Sequence, residues 1–265
     1  MQINRLMGVV GAIAGMVACS MSFTANAAST AASTALSVTV PSYFNSTGDT
    51  AKWNTLISTA KKVSTTAILN PNDGPGTYQD ANFTAIVTKL HASGAKVIGY
   101  ISTQYGKRSL SAVAADINKY TAFYQVDGFF IDEMTSDSTT SHIQFYQSIY
   151  NYIKGLKSTY SVMANPGANM PELYASLPTA DQFVVFEDNY KNYAKYQPAS
   201  WQAAYPKSRF VHMVLNTTAA QMPGVVQYAK THGAGSVFIT DLKGNNPYKA
   251  MPSYWDNEVA AAIAP

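Results

Sequence analysis

Charge is scarce in this chain. Asp, Glu, Lys and Arg together make up 12% of its 265 residues, about half the ~25% usual in soluble domains. The formal net charge is only +3, and no stripe of Lys and Arg is present, so the footprint of a nucleic-acid binder is missing. There is one cysteine, Cys19, inside an apolar N-terminal run, which leaves the rest of the chain without disulfides or thiolate ligands. The sequence has no H-E-x-x-H, no G-x-S-x-G and no phosphate-binding Walker loop, and no G-x-G-x-x-G follows the first strand-like run. Metal hydrolysis, serine esterase chemistry and nucleotide binding therefore have no visible machinery. No cofactor and no metal site are expected. The four histidines are dispersed. His91 and His232 lie near helix ends that run into Gly, His142 reads as exposed on a helix, and His212 falls within a strand, where a satisfied core histidine is the better reading. A Schiff-base enzyme would need a buried strand lysine. Lys96 starts its strand at the wrong end, and Lys243 sits in a loop.

Hydrophobic residues make up 47% of the chain and Tyr occurs 18 times. The polar surface must then come mainly from uncharged side chains, which suits sugar: rings stack on sugar faces while OH and amide groups match hydroxyls. A neutral surface on a secreted protein would show the same composition. The N-terminus reads as an export signal. Arg5 precedes an apolar run from Leu6 to Phe23, and Ala25-Asn26-Ala27 fits a cleavage site, so residues 1–27 are expected to be removed. Lipid attachment at Cys19 is the weaker alternative. Residues 28–36 read as a small-residue linker, and 37–265 as one catalytic domain. The expected location is outside the cell, in the periplasm or at the cell surface. Asn45, Asn82 and Asn216 lie in N-x-S/T sequences that matter only in a glycosylating host.

From residue 37 short apolar runs alternate with helical stretches. The runs are Ser37–Phe44, Ser64–Asn70, Lys96–Ser102, Val126–Glu133, Tyr160–Asn165, Gln182–Asp188, Arg209–Asn216 and Gly235–Asp241. They are apolar nearly throughout, as parallel strands buried on both faces require. Asp80–Ser93, Ser138–Lys157 and Ala219–His232 carry apolar residues at helical spacing, and Gly94 and Gly233 stand where a left-handed helix end wants glycine. Eight βα units in this length predict a single (β/α)8 TIM-type barrel; a doubly wound sheet is the alternative.

A barrel works at the C-terminal ends of its strands, and the polar residues gather there: Tyr43, Asn70, Tyr100, Asp132-Glu133, Asn165, Glu187-Asp188, Asn216 and Asp241. Strand ends meet solvent, which accounts for some of these. It accounts poorly for Asp132 and Glu133 directly after Gly128-Phe129-Phe130-Ile131, because a carboxylate beside such a run is costly unless it is paired or used. Neighbouring strand residues point to opposite sides, so one of the two is expected to react while the other orients it or holds a hydroxyl. Glu187, after Phe183-Val184-Val185-Phe186, is the second acid. Two carboxylates flanking one bond are what glycoside cleavage needs, one donating a proton and the other attacking or activating water. Tyr43, Asn70, Tyr100, Asn165, Asn216 and Asp241 are the candidate sugar-binding residues. Trp201 and Trp255 read equally as stacking platforms or as helix anchors.

Several of these stretches together carry a resemblance. Val40-Pro41-Ser42-Tyr43-Phe44, Asn70-Pro71-Asn72-Asp73-Gly74-Pro75-Gly76, Val97-Ile98-Gly99-Tyr100, Asp127-Gly128-Phe129-Phe130-Ile131-Asp132-Glu133-Met134, Asn165-Pro166-Gly167 and Pro252-Ser253-Tyr254-Trp255 resemble the spherulation-specific family 4 (spherulin-4-like) proteins, over about residues 37–260. The resemblance implies a (β/α)8 barrel related to hydrolases of α-1,4-linked galactosamine or N-acetylgalactosamine in exopolysaccharides. It also implies that the family's acidic pair falls on Asp132 and Glu133 and its later glutamate on Glu187. The expected roles are Asp132 as nucleophile or electrostatic partner, Glu187 as general acid/base and Glu133 as supporting carboxylate. A monomer acting on a polysaccharide is expected, with no protein partner and no nucleic acid. The alternative is a barrel that binds carbohydrate without cutting it.

Overall fold

A computed structural model describes residues 35–265. The expected leader, Cys19 and most of the expected linker lie outside the described residues. Leu36, the last residue of that linker, is buried and donates its N–H to the carbonyl of Ala262 at 2.9 Å.

The strands β1 (Ser37–Ser42), β2 (Thr65–Leu69), β3 (Lys96–Ser102), β4 (Gly128–Asp132), β5 (Ser161–Ala164), β6 (Gln182–Asn189), β7 (Phe210–Leu215) and β8 (Ser236–Ile239) are all parallel and close into a barrel in sequence order. Each expected run is therefore a strand, with ends moved by no more than about two residues. The helices are α1 (Thr50–Ala60), α2 (Ala81–Ala92), α3 (Leu110–Phe123), α4 (Thr140–Leu156), α5 (Leu173–Ser176), α6 (Tyr190–Tyr193), α7 (Met222–Thr231) and α8 (Trp255–Ile263). The segments after β5 and β6 are reduced to single turns, α5 and α6, which leaves that side of the barrel to loops and two short 3-10 turns. Among the described residues, no helix is long and apolar enough to cross a membrane.

Local chemistry sets the ends of these elements. Asp80 accepts the N–H of Asn82 at 2.7 Å to start α2, and Ser109 accepts that of Ala112 at 3.2 Å to start α3. Gly94 and Gly233 end α2 and α7 with φ of +90° and +85°. Gly128 opens β4 because a Cβ there would lie 2.0 Å from the carbonyl oxygen of Ser161; only glycine lets β4 and β5 approach.

The tryptophans are helix anchors. The Trp255 indole donates to Thr59 Oγ1 at 2.8 Å, tying α8 to α1, and that of Trp201 donates to the carbonyl of Met170 at 3.2 Å. The reading of these two as sugar platforms is corrected: Trp255 is buried, Trp201 packs against the core, and neither lines the pocket at the strand ends. His212 is a core residue, half satisfied: it is buried, its Nδ1 lies 2.7 Å from the hydroxyl of Tyr193, and its Nε2 has no hydrogen-bond partner among the described residues.

The β8–β1 seam, like β5–β6, is paired over only two rows. Pairing there covers only Ser37–Ser236 and Val38–Val237. Pro41, on β1, lies in register with Ile68 of β2 but beyond the rows paired with β8, where its missing N–H is tolerated. Above the paired rows the N–H of Ile239 donates instead to the carboxyl of Glu258, from α8, at 2.8 Å.

Candidate functional site

The strand ends enclose a pocket of about 220 Å³, whose walls include Pro41, Tyr43, Asn70, Tyr100, Phe130, Asp132, Asn165, Glu187, Met213 and Tyr248. A larger groove of about 300 Å³ lies outside the barrel between α3 and α4. Its lining is almost wholly apolar and holds no carboxylate, so the strand-end pocket is the candidate site.

Asp132 ends β4 two residues after Phe130, and strand alternation puts both on the inner face. Glu187 arrives there by a different route. On β6, Val184 pairs with Val211 while Phe186 pairs with His212 and Glu187 with Met213, so Val185 is an extra, bulged residue. Val211 and Met213 share a face, hence Val184 and Glu187 share it too although they are three apart; the bulge re-aims the acid inward. The Asn165-Pro166-Gly167 turn clamps this bulge. The N–H of Gly167, at φ +66°, donates to the carbonyl of Val184 at 3.1 Å, and the N–H of Glu187 donates to the carbonyl of Gly167 at 2.9 Å.

Asn165 joins the two acids. Its Nδ2 donates to Asp132 Oδ1 at 2.8 Å and to Glu187 Oε2 at 2.5 Å. One nitrogen touching both oxygens keeps those two oxygens within about 5 Å of each other, close enough for both acids to act on one glycosidic bond. The backbone of Asn165 is itself fixed to β4, with its N–H on the carbonyl of Ile131 at 2.8 Å and its carbonyl accepting from Met134 at 3.0 Å.

Burial pushes the Asp132 carboxyl up from 3.8 to about 6, and the negative charge of Glu187 adds to the rise; hydrogen bonds from Tyr100, the Glu133 N–H and Asn165 work against it. Burial and the same two carboxylates hold the Tyr43 and Tyr248 phenols well above their ordinary value. They therefore stay neutral, and Tyr248 uses its O–H to donate to Glu187 Oε1. Tyr43 packs edge-on against both Tyr100 and Tyr248, with centroids 5.6 and 5.5 Å away.

Six of the nine expected site residues meet in this pocket: Tyr43, Asn70, Tyr100, Asp132, Asn165 and Glu187. Asn70 also holds the loop after β2, accepting the N–H of Gly74 at 2.8 Å. Three do not line it. Glu133 leaves the strand in a left-handed conformation, φ +55°, which turns its carboxylate to the Ser102 hydroxyl and the Gln104 N–H. Asn216, also left-handed at φ +51°, is exposed where the chain turns after β7. Asp241 accepts the N–H of Ser253 at 3.2 Å and secures the final loop. Asp188 is turned onto Asn189 and Asn192 at the start of α6.

Tyr248 was missed by sequence reading. It sits in the irregular segment after β8, where no periodicity points to a pocket. Asp73, Asn245 and Asn246 join the pocket from loops for the same reason. Among the described residues, no group of three or more His, Cys, Asp or Glu side chains gathers as a metal site.

A closed parallel barrel with two carboxylates sharing one amide at its strand ends defines a glycosidase-like, carbohydrate-active (β/α)8 protein. Its family follows from comparison: the chain belongs to spherulation-specific family 4, whose model matches residues 37–262. It is 31% identical to Spherulin-4 of Physarum polycephalum over 226 residues, covering 81% of this chain and 67% of that one. The crystal structure of Aspergillus clavatus Sph3 in complex with GalNAc superposes with a TM-score of 0.74 at 26% identity, covering 87% of this chain and 98% of that one. The barrel is shared more distantly with the family 18 chitinase ChiB of Flavobacterium johnsoniae, at a TM-score of 0.54 and 13% identity over 86% of this chain and 94% of that one.

Proposed function

We propose that this protein is an exported glycoside hydrolase that cleaves an exopolysaccharide of α-1,4-linked galactosamine or N-acetylgalactosamine. The observation that carries the reading is the Asn165 amide bound to both Asp132 and Glu187, which holds two carboxylates at the spacing glycoside chemistry uses. The GalNAc complex of the related Sph3 supports the choice of sugar. The leader-like residues 1–27 are the ground for export.

In this reading Asp132 acts ionised, as the nucleophile or as the charge that stabilises the oxocarbenium-like transition state. Tyr100 and Asn165 hold it in place. Glu187 is the general acid that protonates the leaving oxygen and the base that activates water afterwards, with retention as the outcome. Tyr248 and Asn165 fix both of its oxygens. Glu133 supports the site through the chain it ties down. The protein acts as a monomer and without a cofactor.

The test is release of oligosaccharides from the α-1,4-galactosamine/N-acetylgalactosamine polymer, comparing wild type with Glu187→Gln and Asp132→Asn. Cleavage by wild type alone supports the reading. Polymer bound tightly but left uncut by wild type would make this a carbohydrate-binding barrel instead.

A further inference from the structure

The loop between β3 and α3 holds backbone conformations that side chains disfavour. Gln104, Tyr105 and Gly106 follow one another with φ of +49°, +54° and +76°, and Glu133 opposite them has φ +55°. Left-handed residues other than glycine persist only where their surroundings over-determine them, and they gather at functional sites. Here the surroundings are Glu133 itself. Its carboxylate accepts from the Ser102 hydroxyl and, at 3.0 Å, from the Gln104 N–H, while its carbonyl accepts from the Tyr105 N–H at 2.8 Å. Arg108 pins the far side, donating to the carbonyl of Ser102 at 2.7 Å and to Asp116 at 2.6 Å.

Tyr105 itself is 55% exposed, on the strand-end face and one backbone hydrogen bond from Glu133, the residue that follows Asp132. Burial first, and then the charges of Glu133, Asp132 and Glu187, raise its phenol above the ordinary value.

We propose that Tyr105 is a rigid platform at the pocket rim on which a further sugar unit of the polymer stacks, and that Glu133 is the positioning residue that holds it there. This rests on the hydrolase reading above. The rigid backbone lowers the entropy lost on binding. The exposed ring supplies the flat apolar face that a pyranose covers, and its hydroxyl remains free to meet the sugar's own. The adjacent acids thereby divide the work: Asp132 faces the bond to be broken, and Glu133 sets the surface that carries the neighbouring unit.

The experiment measures kcat and KM on the polymer and on its shortest cleavable oligosaccharide. Tyr105→Ala, which keeps the same backbone strain and removes only an exposed ring, is expected to raise KM for the polymer about tenfold. On the short oligosaccharide KM moves little, and kcat is nearly unchanged on both. Tyr105→Phe restores most of the affinity. Glu133→Gln keeps an oxygen acceptor for Gln104 and Ser102 and holds the polymer KM near wild type, while Glu133→Ala reproduces the KM defect of Tyr105→Ala. Tyr152→Ala, at an exposed tyrosine on the outer face of α4, is the control and leaves KM unchanged. An unchanged polymer KM in Tyr105→Ala overturns the platform, and an unchanged polymer KM in Glu133→Ala overturns the positioning role. A wild type inactive on every polymer overturns the hydrolase reading and this inference with it.

Discussion

Two places at the top of this barrel bury a carboxyl group whose ionisation burial opposes, and they differ in what else is there. At the pocket, Asp132 shares Asn165 with Glu187 and faces open space between strands. At the β8–β1 seam, Glu258 is fully buried, its carboxyl is pushed well above 4.5 chiefly by burial, and one oxygen accepts the N–H of Ile239 while the other has no partner. A perturbed carboxyl by itself does not mark chemistry. A second acid, a shared donor and room for a substrate do.

The comparison is tested most severely by neutralising each acid in turn. Asp132→Asn and Glu187→Gln are expected to lower kcat by about 10³-fold or more, the scale of lost acid–base and nucleophilic catalysis. Both should leave the fold intact in circular dichroism. Asp132→Asn should also raise Tm at pH 7, because the raised value means ionising Asp132 weakens the folded state. A mutant that keeps its rate would remove that residue from the site.

At the seam the order reverses. Glu258→Ala is expected to lose roughly 2–4 kcal/mol of stability in urea unfolding, through the hole and the orphaned amide of Ile239. Glu258→Gln keeps the acceptor and should be close to wild type in activity. The sign of its pH effect is fixed. A carboxyl raised on folding contributes stability that is fully present below about 4.5 and is lost as pH rises through the folded value. Wild type should therefore lose stability relative to Glu258→Gln by up to about 1.4 kcal/mol per pH unit between about 4.5 and the folded value. Parallel pH–stability curves for the two proteins would show that Glu258 is not buried neutral.

Returning to the pocket, kcat/KM should climb with an acid limb near pH 6, where Asp132 loses its proton, by about tenfold per unit below it. The limb belongs to the coupled pair rather than to one residue. An alkaline limb at that pH would exchange the roles of Asp132 and Glu187. The smallest effect expected is that of Tyr248→Phe, which deletes one donor to Glu187. It should reduce kcat about fivefold, the worth of one ordinary hydrogen bond of about 1 kcal/mol, and barely change KM.

The reading from residues alone caught the pocket where strand alternation governs and missed it where the backbone departs from alternation. Asp132 follows Phe130 by two, so its direction is written in the strand period. Glu187 was found from its apolar run, but the bulge at Val185 that aims it, and the Asn165-Pro166-Gly167 clamp on that bulge, have no local signal. Glu133 looked like a twin of Asp132 until a single left-handed φ sent it to the neighbouring loop. Asn216 and Asp241 stood at strand ends but serve the turns that leave them.

The sequence by itself determined the eight parallel strands, their order and the end of the barrel at which acids collect. Runs buried on both faces and helices of matching length leave little other choice, because each must hide its apolar surface. The tertiary structure alone decided which of those acids meet. Asn165 bridging strands β4 and β6, Tyr248 reaching in from the final loop, and Glu258 replacing a strand partner at the seam all depend on contacts between residues far apart in the chain. Such contacts are set by how the closed barrel brings loops together, and no local preference encodes them.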